Sequence, residues 1–100
     1  MKLTIYLNKT YKNTSNLISI DVKCKNFNLL SYKDNAKILL INNIGVLTNF
    51  INSIDFFVNN YRNTIEINND GFLFSSNLEY KEKIIFNDVE KLNNFLLNLN

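Results

Sequence analysis

One hundred residues, 46% of them apolar and 20% charged, make one small globular domain over residues 1–100 and exclude a disordered chain or a disulfide-stapled miniprotein. The formal charge is +2 but unevenly spread: residues 1–50 hold seven Lys against Asp21 and Asp34 (+5), and residues 51–100 hold four basic against seven acidic residues (−3). Asn occurs 21 times, dispersed among apolar positions as the filler of an A/T-rich genome, while His, Pro and Trp are absent.

Strands are expected first. Leu3, Ile5 and Leu7 alternate with Lys2, Thr4, Tyr6 and Asn8. After an Asn/Thr/Ser-rich turn, Ile18, Ile20, Val22 and Cys24 alternate with Ser19, Asp21 and Lys23, which predicts a half-buried hairpin. Cys24, in phase with those apolar residues, reads as a buried, inert thiol. Phe27 to Ser31 and Lys37 to Ile41 are shorter candidates, separated by the turn-like Lys33-Asp34-Asn35.

From Asn43 the period changes. At 100° per residue, Ile44, Val46, Leu47, Phe50, Ile51, Ile54, Phe57, Val58 and Tyr61 share one arc, predicting an amphipathic helix over residues 44–61 capped by Asn42 or Asn43. Thr64 to Asn68 and Phe72 to Ser76 then flank Asn69-Asp70-Gly71, a hairpin signal. Glu79 to Phe86 reads as a further strand. Asn87-Asp88-Val89-Glu90 reads as the cap of a second helix with apolar face Val89, Leu92, Phe95, Leu96 and Leu99.

A shift of 45 residues sets Ile20 on Ile65, Phe27 on Phe72, Asn42 on Asn87 and Phe50 on Phe95, suggesting a pseudo-repeat of residues 18–61 and 63–99. The expected fold is α+β in two layers, a largely antiparallel sheet with two helices packed on one face, in the order ββββ-α-βββ-α. The alternative runs residues 36–61 as one long helix, ββ-α-βββ-α, an order shared with longin and roadblock-like modules as topology only.

The chemistry is bounded mostly by what is missing. Without His, the usual proton carrier near neutral pH and a principal zinc ligand are gone; one Cys cannot build a Cys₄ site. Gly45 and Gly71 are the only glycines, too few for a phosphate loop or a dinucleotide fingerprint. Asp88 and Glu90 are explained by a helix dipole, and Glu66-x-Asn68-x-Asp70-Gly71 lacks the ligands and flanking helices of a calcium loop. No catalytic residue, metal or small-molecule cofactor is therefore expected.

Two candidate surfaces follow. The expected first helix carries Asn52, Asn59 and their polar neighbours around an out-of-phase Phe56, and Leu97 is out of phase on the second; an aromatic stranded on a nearly uncharged face anchors protein interfaces. On the N-terminal hairpin, Lys2, Tyr6, Lys23 and Lys25 offer charge and stacking for nucleic acid.

The reading is a non-enzymatic protein–protein interaction module, partnered by another protein or by itself. Small size without motifs suggests an inhibitor of the phage or mobile-element kind, anti-defence or anti-CRISPR-like, that blocks a partner sterically. The alternative is a nucleic-acid-binding module using the basic hairpin. No apolar run exceeds the four residues Ile38 to Ile41, and residues 1–11 lack a signal-peptide core, so a cytoplasmic protein without membrane contact is expected.

Overall fold

Alternation in the first third folds as expected into strands. A computed structural model describes residues 1–8, 19–31, 36–58, 60–68, 70–77 and 83–99. Among them are β1 (Lys2–Leu7), β2 (Ser19–Lys23), β3 (Phe27–Ser31), β4 (Lys37–Ile41), β5 (Ile44–Leu47), β6 (Ile51–Val58), β7 (Tyr61–Asn68), β8 (Gly71–Ser76), β9 (Ile84–Phe86) and one helix, α1 (Val89–Leu97). They form two antiparallel sheets: a large one ordered β2-β1-β6-β7-β8-β9 and a small one ordered β3-β4-β5.

Residues 44–61 are not a helix, and neither is the longer stretch from residue 36. Asn42 and Asn43, expected as a cap, have φ of +50° and +68° and make a two-residue turn between β4 and β5. Two positive φ values define the type I′ turn that matches strand twist, and Asn is among the few side chains that accept them. A 3-10 turn at Thr48–Phe50 then redirects the chain from the small sheet into the large one.

The helical periodicity has a specific origin. Tyr6 pairs with Ser53 but Leu7 pairs with Ile51, so Asn52 is an extra residue, a β-bulge. The bulge sets Ile51 and Ile54, both buried, three positions apart, which imitates one helical turn. The half-repeat is affected too: residues 44–52, which the 45-residue shift aligns with α1, are strand and 3-10 turn.

The second half follows the expectation more closely. Asn68 faces Gly71 across the β7–β8 turn, and Gly71 has φ +146°. A Cβ there would lie 2.6 Å from the Phe86 carbonyl oxygen, so glycine is required by β9 as well as by the turn. The N-cap of α1 is Asp88, within the expected capping segment, and its carboxylate accepts from the Glu90 N–H at 2.8 Å.

One core lies between the layers. The inner face of the large sheet contributes Leu3, Ile5, Ile54, Phe56, Ile65, Phe72 and Phe74; the small sheet contributes Phe27, Leu29, Leu39 and Ile41; α1 contributes Val89 and Leu92. The Phe27 and Phe56 rings meet edge to face at 5.2 Å, joining the sheets, and Phe74 and Phe95 at 4.8 Å join the large sheet to α1. No helix among the described residues is long and apolar enough to cross a membrane.

Candidate interaction surface

Phe56 does not anchor a surface. In β6 its neighbours alternate between faces, so Phe56 turns inward, only 2% exposed and paired with Leu3, while Phe57 turns outward, 59% exposed. A helical phase assigns them the opposite roles. Asn52 is exposed at the bulge, Asn59 lies outside the described residues, and Leu97 stands exposed on α1, as its phase predicts. Phe56 and Leu97 reach one shallow groove beside Met1 and Asn28, but Phe56 is only its floor. Asn52 lines a different cleft of about 290 Å³ with Asn8, Asn49, Asn68 and Lys37, whose ammonium sits 5.7 Å from the Phe72 ring centroid.

The basic hairpin residues do come together. Lys2 and Lys23 are cross-strand partners, and with Lys25 and Asn42 they border one open depression of about 550 Å³. Tyr6 is on the same outer face of the large sheet but farther along β1, level with Ser53, and its side chain interacts with the Arg62 guanidinium. Much of the charge there is already matched. Lys2 is 3.5 Å from Asp21, which also accepts from the Thr4 hydroxyl at 2.8 Å. Asp55, buried in the middle of that face, accepts from the Arg62 guanidinium and from the Thr64 hydroxyl at 2.8 Å. The hydrogen bonds that the Arg62 guanidinium donates to Asp55, then the charge of that carboxylate, hold it above its ordinary value.

The feature that periodicity did not isolate is the outer face of the small sheet. Leu29, Leu39 and Val46 are cross-strand neighbours facing the core, so Leu30, Ile38 and Leu47, one step along in the same register, face away from it. Leu40 lies on the same outer side, between Asn28 and Gly45. Leu30 is 43% exposed, beside the first turn of α1, and Leu47 is 41% exposed. The signal was present in the run Lys37-Ile38-Leu39-Leu40-Ile41: a strand apolar on both parities is the pattern of a strand covered on both faces.

Its two edges differ. At β3 the Asn93 side chain of α1 accepts from the Leu29 N–H at 3.0 Å and donates to the Leu29 carbonyl at 2.6 Å, occupying the edge as another strand would. At β5, Ile44, Gly45 and Leu47 are exposed, and no described strand pairs beyond them. The turn between β4 and β5 is itself pinned, its Asn42 side chain donating to the Lys23 carbonyl at 2.8 Å.

Burial pushes the Cys24 thiol up, consistent with an inert side chain under the end of β2. Comparison with protein-family models, curated proteins and solved structures gives no match.

Proposed function

We propose that the chain is a non-enzymatic protein–protein interaction module whose contact surface is the outer face of β3-β4-β5, and that it acts by occupying its partner's surface. The supporting observation is the aliphatic row Leu30–Ile38–Leu47 with Leu40 beside it, outward-facing on three adjacent strands. A contiguous apolar patch of this kind gains free energy when a partner covers it. The strand residues of the patch are uncharged, and Asp88 and Glu90 border it beside Leu30.

Leu30→Glu tests this directly. Leu30 is already exposed, so thermal unfolding should move little, while proteins retained by the immobilised parent from the lysate of its native cells should be lost from the variant. Retention of the same proteins by both would refute the face as the interface.

A second reading, nucleic-acid binding, is favoured by the convergence of Lys2, Lys23 and Lys25 on one depression. Lys23→Glu combined with Lys25→Glu should abolish salt-sensitive binding to single-stranded oligonucleotides. A parent that binds none at low salt ends that reading.

A further inference from the structure

The open edge of β5 has a definite hydrogen-bonding phase. In a two-residue type I′ hairpin the closing pair, Ile41 and Ile44, is hydrogen-bonded, so Leu39–Val46 is the next hydrogen-bonded pair along β4 and β5. Both backbone groups of Gly45 and the N–H of Leu47 therefore point away from β4, into the open edge, while the Leu47 carbonyl, at the N-cap of the 3-10 turn, accepts that turn's first bond. The same phase carried across β4 points the groups of Leu29 outward from β3, where Asn93 meets them, so the phase is checked at the far edge.

We infer that β5 pairs antiparallel with β5 of a second copy of this chain, centred on Val46, with the Leu47 N–H of each copy donating to the Gly45 carbonyl of the other. The register is self-complementary. Gly45 and Leu47 both lie on the outer face, so the Leu47 side chain of one copy sits beside the residue that has none in the other. The result is a continuous sheet β3-β4-β5-β5-β4-β3 whose outer aliphatic surface is doubled, which gives a two-fold partner twice the contact area of one chain.

Other edges are closed to this pairing. Asn93 occupies β3, β2 carries Asp21 and Lys23, and β9 is three residues long, whereas Ile44–Leu47 contains no charge. With one available edge among the described residues, pairing stops at two copies instead of propagating.

This rests on the small sheet being the interacting part of the molecule, and the experiment separates the two claims. Sedimentation velocity of the parent should show mass rising from monomer to dimer with concentration. Leu47→Pro should weaken that association by at least about tenfold, because it removes an outward N–H. Leu47 already has φ −63°, the angle proline fixes, so the fold should be kept. Leu30→Glu should still dimerise, its edge being intact.

In a Cys24→Ala background, Val46→Cys should crosslink to its mate on mild oxidation, since facing residues of a non-hydrogen-bonded pair lie about 4.5 Å apart, within disulfide range. Ile44→Cys should not, being out of register with its own mate. A parent that stays monomeric at every concentration overturns the inference; loss of partners from Leu30→Glu would then leave the face reading standing. Dimers kept in Leu47→Pro but lost in Leu30→Glu would set the copies face to face and equally overturn the edge register.

Discussion

Asn93 closes the edge of β3 by pairing its side-chain amide with both backbone polar groups of Leu29, 64 residues earlier in the chain. Asn93→Leu should therefore cost about 1–3 kcal/mol in thermal or urea unfolding, because the Leu29 N–H and carbonyl lose their partners. It should also leave two open edges on the small sheet. Light scattering should then detect assemblies larger than a dimer, a change that a purely local loss of stability would not produce.

Phe56 and Phe57 provide a direct test of the strand. Phe56→Ala empties the junction between the sheets, where the ring meets Phe27, and should cost about 3–5 kcal/mol. Phe57→Ala should change stability by less than about 0.5 kcal/mol, since that ring is already in solvent. A helix over residues 44–61 would reverse the order of the two effects.

The carboxylate of Asp21 is held below its ordinary range, chiefly by the hydrogen bond from Thr4; partial desolvation opposes this and the charge of Lys2 supports it. A depressed carboxylate contributes stability that is present above its unfolded value and lost as pH falls through its folded value. Thr4→Val should raise the Asp21 midpoint in a carboxyl-carbon NMR titration and flatten the acid side of the stability profile.

Gly71→Ala should destabilise by more than about 1 kcal/mol. The new methyl would meet the Phe86 carbonyl and the Asn87 side chain at a backbone angle that L-residues avoid. Loss of amide protection at Ile84 to Phe86, measured by hydrogen exchange, should exceed that at β1.

Legibility in the sequence followed how purely each segment kept its period. β1 alternates cleanly between buried and more open side chains, β3 does so as far as Leu30, and β1, β3 and β4 fall where alternation and turn residues predicted. α1 keeps Val89, Leu92, Phe95 and Leu96 inward at helical spacing. Residues 44–58 misled for a physical reason: β5, a 3-10 turn and the Asn52 bulge each shift the phase, and the shifts together mimic 3.6 residues per turn. The Phe56 surface disappeared with that helix. The basic cluster of Lys2, Lys23 and Lys25 was legible because β1 and β2 were. The aliphatic outer face needed the sheet register itself, which unites Leu30, Ile38 and Leu47 from three strands.

The 3-10 turn at Thr48–Phe50 makes β5 and β6 a single run of chain serving both sheets, and Asn8 fastens it through its backbone N–H to Phe50 and its side chain to Asn49. An outermost strip of the small sheet is thus yoked to the middle of the large one. A partner gripping the former should therefore slow deuterium uptake at Ile54 in the latter, well inside the molecule, and so report an encounter made at its rim.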